Sequence, residues 1–133
     1  MAVTKSNIPD RLAQTLVLDT SATGTEENNI FVGVTLANKI YQVLIDNSAV
    51  GAATYVRMQY ATTYAKASGA LATSPDDIRL YAPANKTVTY IFPEGLAFTA
   101  GLSVLATSDT ADIDGTSYTD PGDTVIVKIL GGT

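Results

Sequence analysis

"KIYQVLIDNSAVGAATYVRMQYA", Lys39 to Ala61, decides the fold. Its second half, "TYVRMQYA", sets Val56, Met58 and Tyr60 against Tyr55, Arg57 and Gln59 in clean period two. A helix would repeat its apolar positions about every 3.6 residues. This is a strand, with one face on a core and the other meeting solvent or a partner. The first half is nearly all apolar from Ile40 to Ile45, as in a strand buried on both faces, or on one face plus a neighbouring subunit. Asp46 and Asn47 end it, and "NSAVGAA" links the two strands.

Toward the N-terminus, "RLAQTLVLDT" alternates Leu12, Leu16 and Leu18 against Ala13, Thr15, Val17 and Asp19, and "SATGTEENN" follows as a polar loop. "IFVGV" is a short apolar run whose Gly33 marks a bulge or a close backbone approach. Toward the C-terminus, Thr62 to Asp77 has no strand pattern and reads as a long loop that crosses an edge or reaches a neighbour. "IRLYAP" and "KTVTYIFP" form the next strand pair, turned through Pro83, with Val88, Tyr90 and Phe92 on one face. In "FPEGLAFTAGLSV", Pro93 and Gly95 turn the chain out of that strand, Leu96 and Phe98 re-enter the core, and Gly101 permits the next reversal. Leu102, Val104 and Ala106 then share one face, which leaves Ser103 on the other to meet water or another subunit. "SDTADIDGTSYTDPGD" is polar and turn-rich, and "TVIVKIL" is the last strand, with Val125, Val127 and Ile129 facing one way.

No window of a dozen residues holds a capped helical stripe, and no internal repeat is visible. The expected fold is all-β: an antiparallel two-sheet sandwich, jelly-roll-like, of about eight strands. Residues 1–10 read as an extended N-terminal arm, 11–130 as the β-sandwich domain and 131–133 as a flexible tail.

At 133 residues the chain has room for one domain with a real core. Charged residues make up 16%, below the roughly 25% of an average soluble protein, and threonine and alanine fill the deficit. Much of the surface is therefore small, neutral and cheap to desolvate, which suits burial against partners. The net charge is −5, and the eight basic residues are scattered from Lys5 to Lys128. Nucleic acid is not an expected partner, because neutralising phosphates takes a clustered positive patch. Membrane is not expected either: no uncharged apolar run approaches the ~20 residues of a spanning helix, and "MAVTKSNIPD" has no signal-peptide core.

The absence of histidine and cysteine removes the usual serine-nucleophile base, thiolate catalysis, disulfides and the common zinc sites. Gly101-Leu102-Ser103-Val104 begins like a nucleophile elbow, yet the fifth position is Leu105 where glycine is required. In "DTADIDG", counting a calcium loop from Thr110 places Asp112, Asp114 and Gly115 correctly but puts Pro121 at the bidentate glutamate position, so a solvated loop explains it better. Adjacent carboxylates at Glu26–Glu27 and Asp76–Asp77 point apart and suit loop solvation and turn capping better than acid–base work on a sugar. The sequon at Asn85 has no signal peptide to give it meaning. The strand tyrosines Tyr41, Tyr55, Tyr60, Tyr81 and Tyr90 read first as packing, then as a subunit interface, then as a carbohydrate platform. No catalytic residue, metal site or cofactor is expected.

The run from "KIYQVLIDNSAVGAATYVRMQYA" through "SPDDIRLYAPANKTVTYIFPEGLAFTAGLSVLAT" resembles small virion accessory proteins of tailed bacteriophages, of the capsid cement or decoration type. "DNSA" after a hydrophobic strand, a Tyr-rich strand, the "PDD" and "AP" turns and "FPEGLAFTAGLSV" carry the resemblance over about half the chain. It implies a β-sandwich and a non-enzymatic role bracing a capsid from outside. The implied partners are the major capsid protein and copies of itself, a trimer favoured, and the place is the capsid surface, after synthesis in the host cytoplasm. A tail, baseplate or head-fibre module is the nearest alternative, and a carbohydrate-binding module using Tyr55, Tyr64 or Tyr118 is the alternative of another class. The expected interface residues are Ile8 and Pro9 in the arm, where proline favours extended geometry for its predecessor, and Tyr64 and Leu71 in the long loop.

Overall fold

The computed structural model describes residues 2–7, 14–20, 39–61, 77–98, 101–108 and 121–132. Among them are eight strands and no helix: β1 (Ala2–Asn7), β2 (Gln14–Thr20), β3 (Lys39–Asp46), β4 (Thr54–Gln59), β5 (Ile78–Ala82), β6 (Thr87–Ala97), β7 (Ser103–Thr107) and β8 (Val125–Gly132). "IFVGV" and all of the long loop except Asp77 lie outside the described residues. Every pairing is antiparallel. One sheet runs β1-β2-β8-β3-β6 and the other β5-β4-β7. From β6 onward each strand lies in the opposite sheet from the one before it, and β8 returns to sit between β2 and β3. That is jelly-roll connectivity, so the expected two-sheet sandwich is the fold.

The alternation read in the sequence places the core. Val125, Val127 and Ile129 of β8 are fully buried, and they join Val43 and Ile45 of β3, Val56 and Met58 of β4, Leu80 of β5 and Val104 of β7 in one cluster spanning both sheets. Ile40 also points into this cluster, although it is three residues from Val43. An extra residue, Tyr41, is inserted there against β8, and this bulge shifts the phase of the strand.

Five expectations are corrected. Arg57 and Gln59, placed on the outer face of β4, are buried, as is every residue of β7. β4 and β7 are covered on both faces, and their polar side chains are accommodated by bonding across strands, as where Arg57 Nε donates to Thr107 Oγ1 at 3.0 Å. Ser103 is fully buried, its hydroxyl donating to the carbonyl of Ala61 at 2.8 Å. Pro93 and Gly95 do not end a strand; β6 passes through both. Gly131 and Gly132, read as tail, pair with Ile40 and Lys39. Within the stretch read as an arm, Ala2–Asn7 is extended but paired with β2, as the outermost strand of its sheet.

The turn after β3 is tied to the turn before β6 through one buried side chain. Asn47 Nδ2 donates to the carbonyls of Ala52 at 3.0 Å and Pro83 at 2.9 Å, and its Oδ1 accepts from the Thr54 hydroxyl at 2.7 Å. Its backbone N–H donates to Lys86 O, its carbonyl accepts from Val50 N, and Asn85 N donates to Val50 O. Asn85 holds a left-handed φ of 57°, which asparagine tolerates better than most residues. Asn47→Ala should leave the buried Thr54 hydroxyl and the part-buried Ala52 and Pro83 carbonyls without this partner and lower unfolding stability by about 2 to 4 kcal/mol, with the denaturant slope unchanged.

Candidate interaction surface

Among the described residues β6 ends the larger sheet, and its residues alternate along that edge. Val88, Tyr90 and Phe92 turn inward against the core, while Thr87, Thr89 and Ile91 are exposed. Ile91 is 66% exposed, high for a branched aliphatic side chain in a strand. Beyond it the ladder with β3 is interrupted. Gln42 pairs with Ile91, yet Ile40, only two residues away, pairs with Leu96. The intervening Phe92, Pro93, Glu94 and Gly95 bow outward and, with Leu96, line a shallow open hollow.

Local chemistry produces the bow. Pro93 has no N–H to offer a ladder, and Gly95 adopts a φ of 79° that side-chain-bearing residues avoid. A β-carbon on Gly95 would lie 2.9 Å from Lys39 Cδ, 3.0 Å from Lys39 Cβ and 3.0 Å from Tyr41 Cε1. The glycine of one bulge thus seats the tyrosine of the other.

On the side of the sandwich next to β6 lies β5, the end strand of the smaller sheet. The Tyr90 hydroxyl donates to the carbonyl of Tyr81 at 2.6 Å, joining the two end strands. The Tyr81 ring packs against Tyr55 at 5.5 Å in a tilted pair, and Tyr60 stacks on Phe98 at 6.5 Å. Each of these tyrosines thus has a packing or hydrogen-bond contact within the sandwich, while Tyr81 stays 45% exposed.

Asp46 in "DNSA" and Asp77 in "PDD" have structural partners. In "DNSA", Asp46 Oδ1 accepts from the Ser48 hydroxyl at 2.6 Å, the Ser48 N–H at 3.0 Å and the Thr87 hydroxyl at 3.1 Å. The Ser48 hydroxyl foremost, then the Ser48 N–H, hold this carboxyl below the ordinary aspartate value, with smaller help from Thr87 and the Lys128 charge and some opposition from burial. At the end of "PDD", Asp77 Oδ2 accepts from Tyr60 N at 2.7 Å, a bond that ties the chain entering β5 to the chain leaving β4. Burial, then the Asp77 charge, push the Tyr60 hydroxyl above the ordinary tyrosine value.

Among the described residues no three acidic side chains converge as a metal site would require, and no helix is long and apolar enough to cross a membrane. The expected interface residues Ile8, Pro9, Tyr64 and Leu71 lie outside the described residues, as do Glu26, Glu27, Asp76, Tyr118 and the Asp109–Gly115 loop. The exposed edge of β6 was not singled out from the sequence. Its signal was there in "TVTYIF", an uncharged run of β-branched and aromatic residues.

No protein-family model and no curated protein matches the chain. Among solved structures it is similar to the coat protein of Tobacco streak virus, with 14% identity, a TM-score of 0.35, and coverage of 96% of this chain and 91% of that one. That likeness is too loose to carry fold or function across.

Two measurements check this geometry. Gly95→Ala should cost about 1 to 3 kcal/mol in denaturant unfolding, through its left-handed φ and the contact with Lys39 and Tyr41. Because the Asp46 pKa is lowered on folding, its contribution is present above the unfolded aspartate value and is lost as pH falls through the acid range. Asp46→Asn should therefore flatten the acid limb of the stability–pH curve relative to the parent.

Proposed function

We propose that the chain is a non-enzymatic structural virion protein of the capsid cement or decoration type, binding the outside of a phage capsid and bracing contacts between capsomers. The observation that carries this reading is how the polar groups are divided. Those at Asn47, Arg57 and Ser103 join turns and strands inside the sandwich, while the exposed edge at Thr87, Thr89 and Ile91 is neutral and suited to contact. An enzyme gathers polar, reactive groups at one cleft, whereas a brace offers surface.

Low charge and the abundance of threonine and alanine support the same reading, since such a surface loses little when covered. The motif resemblance adds to it. The partners in this reading are the major capsid protein and copies of the chain itself, with a trimer favoured. Ile8 and Pro9, and Tyr64 and Leu71, are the proposed contacts, and the protein reaches the capsid surface from the host cytoplasm. Many weak symmetric contacts would suffice, because a shell repeats each of them.

Adding the purified protein to capsids that lack it tests the reading. It should coat the shell in regular array by electron microscopy, and coated shells should release DNA at a higher temperature than bare ones. Capsids left uncoated and no more heat-resistant would overturn the proposal, and density confined to a tail, baseplate or fibre would replace it with the second virion role.

A further inference from the structure

We infer that β6 is a self-pairing edge: two copies of the chain join antiparallel through their β6 strands, about a two-fold axis at Thr89. From Thr87 to Phe92 this end strand holds no charge, proline or glycine, only threonine, valine, tyrosine, isoleucine and phenylalanine. Natural sheets protect such edges with lysine, proline, a bulge or a covering element. The neighbouring end strand β5 has protection of that kind: it carries the exposed Arg79, and its Tyr81 carbonyl is occupied by the Tyr90 hydroxyl. On β6 the proline and the bulge come only after Phe92.

The position of the axis follows from the pleat. A two-fold perpendicular to the sheet keeps each side chain on its own face, so one residue must sit on the axis. With Thr89 there, it faces its own copy, Thr87 faces the other copy's Ile91, and Val88 faces its Tyr90. These are β-branched and aromatic pairs that favour cross-strand contact. Centring on Tyr90 would set Pro93 opposite Thr87, inside the ladder. Centring on Val88 would set Ile91 opposite Asn85, in the turn that precedes β6. The Thr89 register pairs Thr87 to Ile91 with no proline and no turn residue inside the ladder.

Charge agrees with this occupant. Lys86 and Glu94 flank the run and are both exposed. In the Thr89 register Lys86 of each copy extends past Phe92 toward the other copy's bulge, which carries Glu94. Opposite charges therefore meet at both ends of the ladder, and Ile91 is covered between them. A single strand edge buries little area, so the contact is weak and concentration-dependent. It forms without a capsid, so its failure and that of the capsid-binding reading are distinguishable.

The chain has no cysteine, which makes Thr89→Cys a clean probe. Opposed residues of an antiparallel pair lie about 4.5 to 5.5 Å apart at Cα, within disulfide range. Under mild oxidation Thr89→Cys should form a reducible dimer about tenfold faster or more than Ser48→Cys, placed at an exposed turn as the control. By sedimentation the parent should show a concentration-dependent dimer step, and Thr89→Lys should weaken it about tenfold or more by setting like charges face to face, with circular dichroism unchanged. If Thr89→Lys proves unfolded, the cross-linking comparison decides. Equal cross-linking rates, a folded Thr89→Lys that associates like the parent, or association only when capsids are added, with the edge taken by a foreign strand, would overturn the inference.

Discussion

A sandwich held only by apolar contact has no fixed alignment, because hydrophobic attraction is non-directional. Asn47 supplies the direction. It sits where the chain leaves the larger sheet for the smaller one, and its side chain binds the carbonyl of Pro83, just past the second strand of the smaller sheet. Few side chains can fill this position. Two N–H groups must face carbonyls while an oxygen accepts from Thr54, and a primary amide offers both at this length. Val50 lies between these bonds, its side chain in the core and its backbone shared by the two turns. The hydrogen bonds and the apolar layer thus fix each other's positions.

From that joint the larger sheet runs with regular pairing to Gln42, and there both partners of β3 meet an irregularity. Tyr41 is an extra residue relative to β8, and β6 bows past the same point. The two departures are one feature, because Gly95 leaves space that Lys39 and Tyr41 fill. The outcome is an edge with two characters, a flat neutral ladder from Thr87 to Phe92 and an acid-bearing bow beyond it.

The strands were legible where one face meets the core and the other does not. β8 is the clear case: Val125, Val127 and Ile129 are buried, Lys128 is exposed, and Ile126 and Leu130 are half-buried. Periodicity separates two faces but does not say what covers either. Arg57 and Ser103 looked outward because polar residues usually are, yet Arg57 meets Thr107, fifty positions away, and Ser103 meets Ala61 across the sheet. Long-range pairing of this kind leaves no local trace. Pro93 and Gly95 misled for a different reason. The same residues serve a turn and a bulge, and the distinction lies in whether a partner strand continues, as Lys39 and Ile40 do here. The exposed edge was hidden in the same way, since alternation put Thr87, Thr89 and Ile91 on one face without showing that β6 ends the sheet.

The place of β8 sets the order in which the molecule can be built. This strand is the last in sequence, yet it lies between β2 and β3 in the middle of the larger sheet. Until it docks, β1 and β2 have no ladder to β3, and the core lacks Val125, Val127 and Ile129. A strand from one end of the chain thus closes a gap between strands from the other end and the centre. Contacts so distant in sequence carry a large loop-closure entropy and slow the search for the native pairing. The first half of the sequence therefore cannot complete its own sheet without the eight residues of the last strand.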